Sequence, residues 1–156
     1  MADVTFPCDQ DGVKQLLPHR EPFLWVSRIL ECDPGKSICA ELDVRPDLPL
    51  FQGHFPDYKV FPGVLVMEAL AQAACCCIFA EDPDEVRVGF LAGIDKARFR
   101  AQVRPGDTIR LRAEIVKNNG KFCKAQVRSC RIDPETGDMV RVAEAEQRYV
   151  LSKEQA

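Results

Sequence analysis

From Val64 to Phe79 the chain reads Val-Leu-Val-Met-Glu-Ala-Leu-Ala-Gln-Ala-Ala-Cys-Cys-Cys-Ile-Phe, apolar on every side of a helix except at Glu68 and Gln72. A helix with no polar face is either a membrane span or the buried centre of a fold. Two polar residues, and a length short of the roughly 20 apolar residues that a span requires, favour burial. Pro62 marks the start, because proline suits the first turn, where its missing N–H would have no helical partner. The expected helix covers 62–80, and the rest of the chain must wrap it.

The flanking segments supply the wrapping. A short helix is expected over 11–17, stopped by Pro18, and a strand over 25–32. Asp33-Pro34-Gly35 is a turn signal, after which Ile38, Ala40, Leu42 and Val44 alternate with polar or small residues, the period of a strand with one buried face. These two strands are expected to form a hairpin. A loop over 46–61 follows, rich in turn formers and aromatics: Pro46, Pro49, Gly53 and Pro56. Strand-like runs over 86–103, 108–116, 122–132 and 139–151 complete the chain. Pro105-Gly106-Asp107, Asn118-Asn119-Gly120 and 133–137 punctuate them, predicting an antiparallel meander. One buried helix with five or more antiparallel strands is an α+β fold with its sheet around the helix. With no repeat or linker, residues 1–156 are read as a single domain ending in a short polar tail, 152–156.

Composition narrows the function classes. The chain is 46% hydrophobic and 29% charged, which suits a soluble globular domain. A net charge of -3 and a pI near 5.5 give no reason to expect binding to nucleic acid or to an anionic membrane. The start, MADVTFPCDQDG, lacks the basic and apolar regions of a signal peptide, so a cytoplasmic location is expected. The eight cysteines show no C-x-x-C pairing, and Cys75, Cys76 and Cys77 would point three ways from a helix. They read as reduced packing residues, with no metal site expected.

Three features carry chemistry. A carboxyl group on a buried apolar helix is costly unless it is paired or protonated, and Gln72 lies one turn from Glu68 on the same face. On these two residues alone, a buried structural hydrogen bond and a carboxyl group oriented for reaction both stay open. His54, in Gln52-Gly53-His54-Phe55-Pro56, adds a base whose ordinary pKa of about 6.5 suits proton abstraction near neutral pH. A glutamic acid held protonated by an apolar site is its natural complement. The start Phe61-Pro62-Gly63-Val64 leaves the N–H groups of Gly63 and Val64 without helical partners, a ready oxyanion site. Glu68 lies five residues beyond Gly63, roughly 7.5 Å along the axis at about 1.5 Å per residue. One small substrate centre does not reach both easily, so the glutamate is expected from a second copy of the chain, making a homodimer with shared sites.

Other residues are weaker candidates. His19, beside Arg20 and Glu21, reads as a hydrogen-bonded loop histidine outside the reaction. Phe55, Tyr58, Phe61, Phe90 and Phe99 are candidates for lining an acyl channel, with core packing as the alternative. Lys96, Arg98, Arg100 and Arg104, with Lys117, Lys121 and Lys124 around a later hairpin, are either solvated faces or contacts for an acidic partner.

The motifs also carry a family resemblance: Leu16-Leu17-Pro18-His19-Arg20-x-Pro22-Phe23-Leu24, then Phe51-Gln52-Gly53-His54-Phe55-Pro56, then Phe61-Pro62-Gly63-Val64-Leu65-x-x-Glu68-Ala69-x-Ala71-Gln72-Ala73. Residues 91–99 and Pro105-Gly106-Asp107 extend it. The sequence resembles the Z-type β-hydroxyacyl-acyl carrier protein dehydratases of type II fatty acid synthesis across essentially its whole length. The resemblance implies a hotdog fold, assembly as dimers and commonly as a trimer of dimers, acyl carrier protein as partner, and neither metal nor cofactor. It implies His54 as catalytic base, Glu68 as catalytic acid from across the dimer, and the Gly63 N–H on the thioester carbonyl. The related A type, which also isomerises the double bond, resembles this pattern with aspartate at the position of Glu68. Asp57 and Lys59 stand where glycine and proline are common in the family, and Phe90 where a tyrosine often gates the tunnel, so acyl length preference is not read from it. The rival readings are a hotdog thioesterase and a catalytically silent module that binds acyl carrier protein.

Overall fold

A computed structural model describes residues 4–85 and 87–152. The start of the run expected from residue 86, and all of the polar tail beyond Ser152, lie outside the described residues.

The Asp33-Pro34-Gly35 turn does what its residues suggest. It joins β1 (Arg28–Asp33) to β2 (Ser37–Asp43) as an antiparallel hairpin. Gly35 takes φ +76°, a left-handed conformation that favours glycine. The expected strand over 25–32 begins only at Arg28. The Trp25 N–H is taken by the Gln72 side chain at 2.7 Å instead of by a neighbouring strand.

The sheet has six antiparallel strands in the order β1-β2-β4-β5-β6-β3, with β3 spanning Val88–Phe99, β4 Thr108–Asn118, β5 Phe122–Ile132 and β6 Met139–Ser152. The meander expected for the second half holds for β4, β5 and β6 but not for β3, which pairs with β6 at the far edge. Pro105-Gly106-Asp107 therefore closes no hairpin. It is bound to the end of β2, with Gly106 N–H donating to Val44 O at 2.7 Å and Val44 N–H to Asp107 O at 2.8 Å. That attachment delivers β4 to β2 and leaves β3 behind.

The apolar segment forms α2 (Gly63–Phe79), in which Val66, Met67 and every residue from Ala69 to Phe79 are buried. It lies across β2, β4, β5 and β6, which contribute Leu42, Ile109, Leu111, Val127 and Ala143 to the same core. Each fully buried large side chain, such as Leu70 or Ile78, contributes on the order of 1.5–3 kcal/mol. Cys75, Cys76 and Cys77 are buried free thiols in this packing. At one end, α1 (Gln10–Leu16) adds Val13 and Leu16. The Asp9 carboxylate caps it, accepting from Asp11 N–H at 3.0 Å and Gly12 N–H at 3.4 Å, an N-cap of the kind worth about 1 kcal/mol.

Candidate active site

Beyond its exposed first turn, α2 is left partly open at Glu68, whose side chain is 23% exposed. One turn on, Gln72 is buried and fully committed. Its Nε2 donates to Glu68 Oε2 at 2.9 Å and to Phe23 O at 3.0 Å, while Oε1 accepts from Trp25 N–H at 2.7 Å. Two backbone contacts thus fix which way the amide faces, and an N–H is left aimed at the carboxyl group. The helical spacing read from sequence is realised as contact.

His54 follows a single 3-10 turn, Pro49–Gln52. Val60 braces it from both sides: His54 Nδ1 lies 2.7 Å from Val60 O, and Val60 N–H donates to His54 O at 3.0 Å. A carbonyl only accepts, so Nδ1 carries the hydrogen and Nε2 keeps its lone pair. That is the tautomer a general base needs. The ring stacks on Phe55, centroids 4.1 Å apart. Lys59 ties the same loop down through its ammonium group, 2.9 Å from Phe51 O.

At the start of α2, the Pro62 carbonyl accepts from both Leu65 N–H (3.0 Å) and Val66 N–H (3.2 Å). Gly63 and Val64 thus keep N–H groups free of helical partners, at the positive end of the helix. A Cβ on Gly63 would lie 2.9 Å from the Phe99 ring, so glycine lets that aromatic close over the helix start.

Within one chain these parts do not form one constellation. The small cleft around Glu68 is lined by residues of α2, β3, β6 and the His19 loop, without His54. His19, read from sequence as a structural loop residue, places Nε2 3.8 Å from Glu68 Oε2. Burial pushes its pKa below the ordinary histidine value, against the raising effect of Glu68 and with the lowering effect of Arg20. The imidazole is therefore neutral at neutral pH, and the contact is not an ion pair there.

The channel candidates divide. Phe55, Phe90, Phe99 and Tyr58 are roughly half exposed, whereas Phe61 is 2% exposed and packs edge-on against Trp25 at 5.5 Å. Phe61 thus takes the core-packing alternative within the chain, where its N–H bond to Val103 O, 2.7 Å long, draws the backbone inward. The Tyr58 hydroxyl donates to Gln102 Oε1 at 2.6 Å and accepts from Arg104, whose guanidinium also covers the ring at 4.8 Å.

The basic residues divide as well. Arg100 is paired with Glu144, and Lys124 with Glu146 at 3.1 Å. Lys96 and Arg98 line a groove of about 350 Å³ with Arg128, Arg141 and Glu146. Lys117 and Lys121 are exposed where β4 turns into β5. No three His, Cys, Asp or Glu side chains are grouped to hold a metal ion among the described residues, and no described helix is long and apolar enough to cross a membrane.

Comparison with known proteins adds a second line. Residues 17–135 match the FabA-like domain family. Three bacterial proteins named 3-hydroxyacyl-acyl-carrier-protein dehydratase FabZ align over most of both chains. The one from Desulforamulus reducens is 47% identical over 121 residues, 78% of this chain and 85% of its own. That from Oceanobacillus iheyensis is 43% identical over 118 residues, 76% and 84%, and that from Ruminiclostridium cellulolyticum 40% over 141 residues, 90% and 95%. The chain belongs to the FabZ-type dehydratase family. Solved structures place this FabZ-type chain in the hotdog fold. The dehydratase heterocomplex ApeI:P from Xenorhabdus doucetiae superimposes with a TM-score of 0.76 at 15% identity, over 95% of this chain and 92% of that one. A hypothetical thioesterase with coenzyme A from Streptococcus pneumoniae gives 0.58 at 11% identity, over 82% and 87%. At such identities the likeness is one of fold alone, and the fold is shared by dehydratases and thioesterases alike.

Proposed function

We infer that the chain is a dehydratase that removes water from a β-hydroxyacyl thioester on acyl carrier protein, giving the trans-2-enoyl thioester of fatty acid elongation. The observation that carries this reading is the 40–47% identity to FabZ dehydratases over most of both chains. The site geometry fits the reaction. His54, its Nδ1 spent on Val60 O, takes the α proton at Nε2. The free N–H groups of Gly63 and Val64 stabilise charge developing on the thioester oxygen. Glu68, held by Gln72, gives its proton to the departing hydroxyl. Atoms balance: one proton moves to His54, one leaves Glu68, and water departs as the double bond forms.

In this reading His54 and Glu68 come from different copies of the chain. The support is the cleft around Glu68, which omits the chain's own His54, together with the β3 edge, where Phe90, Leu91, Ile94 and Phe99 are exposed. An open strand edge with an apolar surface invites pairing with another chain. The enzyme is then a homodimer, by family resemblance a trimer of dimers, acting as a single domain in the cytoplasm. Lys96, Arg98, Lys117 and Lys121 are the candidate contacts for an acidic carrier.

The test follows the enoyl thioester absorbance band after crotonyl or β-hydroxybutyryl thioester is added to wild type, His54→Ala and Glu68→Gln. Wild type is expected to equilibrate the two, with each variant slower by about 10² or more. Release of free thiol would move the chain to the thioesterases, and an inactive wild type to the carrier-binding modules.

A further inference from the structure

The reaction above leaves out the histidine that lies beside Glu68. His19 Nε2 and Glu68 Oε2 are 3.8 Å apart, beyond direct hydrogen-bond reach but within the span of one bridging water or a small side-chain rotation. Together with Gln72, Cys75, Gly89 and Tyr149 they line a cavity of about 20 Å³. A space of roughly 10–15 Å³ already holds one water molecule.

The other polar groups of that cavity are committed. The Gln72 amide is spent on Glu68, Phe23 O and Trp25 N–H, and the Tyr149 hydroxyl donates to Gln147 Oε1 at 2.6 Å. His19 differs: its Nδ1 is buried with no hydrogen-bond partner among the described residues, yet its side chain as a whole is 21% exposed. Part of the ring is therefore open to solvent, although Nδ1 itself is not.

The titratable and charged groups that face it are few. From α2 come Glu68 and Cys75, from β6 Tyr149, and from its own loop Arg20, while β3 offers only Gly89 and Leu91. Burial raises the Cys75 thiol to about 12 and drives the Tyr149 hydroxyl well above its ordinary range, so both stay protonated near neutral pH and neither relays a proton. Arg20 is held away by the carbonyls of Leu17 and His19 at 2.8 and 2.6 Å. Among the described residues, the neutral His19 is left as the one group beside Glu68 able to take up a proton and release it again.

We propose that His19 is the proton-return residue of this site, resupplying Glu68 after that carboxyl group has protonated the departing hydroxyl. This rests on the dehydratase reading. In the step, the imidazolium N–H bond breaks, the carboxylate O–H bond forms, and the imidazole takes its next proton from solvent. His19 touches no substrate carbon. It acts through Glu68, so its removal slows turnover without weakening substrate binding.

The experiment measures kcat and KM for dehydration of a β-hydroxybutyryl thioester by wild type, His19→Gln and His19→Ala, at several buffer and imidazole concentrations, with a thermal melt of each. Expected is a kcat loss on the order of 10², the low end of what a positioned proton donor contributes, with KM little changed. The lost rate should return in His19→Ala as imidazole is added, and in His19→Gln as buffer concentration rises. An active wild type whose variants keep their full rate, or lose it without response to buffer or imidazole, overturns the proposal alone. An inactive wild type overturns the dehydratase reading and the proposal with it. Because His19→Gln keeps the polar bulk at the position, one folded variant remains if His19→Ala does not fold.

Discussion

Gln72 shows how much one residue decides at the acid end of the site. Its amide satisfies two backbone groups of the 23–25 segment and still orients Glu68. Gln72→Leu would keep the volume but orphan the Trp25 N–H and the Phe23 carbonyl. Each unsatisfied buried group costs about 1–3 kcal/mol, so urea unfolding should report a loss in that range or above it, and kcat should fall with the orientation of Glu68. The pairing of Glu68 with Gln72 was legible because helical spacing is local. The approach of His19 was not. It depends on a segment tied to α2 across 49 residues of chain, and nothing in the neighbours of His19 encodes where that segment docks. For Phe61 the sequence leaves channel lining and core packing open for a related reason: an aromatic residue beside a reactive loop looks the same in sequence whether it turns outward or inward.

At the level of elements, alternation and turn residues identified the strands, but a turn states that the chain reverses without naming the strand it reverses onto. Pro105-Gly106-Asp107 is the instance, bonded to Val44 so that β4 joins β2. The displaced β3 becomes an edge carrying Leu91 and Ile94, 37% and 41% exposed. If that edge joins two copies, Ile94→Lys should block it, since an inward-facing charge is a common guard of open edges. Light scattering is expected to show half the wild-type mass, or a step down from a larger assembly, with activity lost in parallel because His54 and Glu68 would part company. An unchanged mass would place the interface elsewhere.

Across the whole molecule, the apolar character of α2 determined the architecture almost unaided. A helix with no polar side must be surrounded, and five or more antiparallel strands surround it economically. What stayed illegible was the strand order, which depends on non-local pairing. The same burial makes α2 the stability centre. Leu70 is fully buried at its midpoint, and Leu70→Ala is expected to cost about 2–5 kcal/mol. Chemical denaturation should show this as a lower midpoint with an unchanged slope, distinguishing it from changes confined to the site.

The chain holds a single tryptophan, and the fold sets it at the acid end. Trp25 is bonded through its backbone to Gln72 and edged by Phe23 at 5.9 Å and Phe61 at 5.5 Å, its indole nearly closed to solvent. All indole emission therefore originates one hydrogen bond from the residue that orients Glu68. The protein carries its own optical reporter, able to follow ligand arrival, loss of the Gln72 contact and unfolding in unlabelled samples.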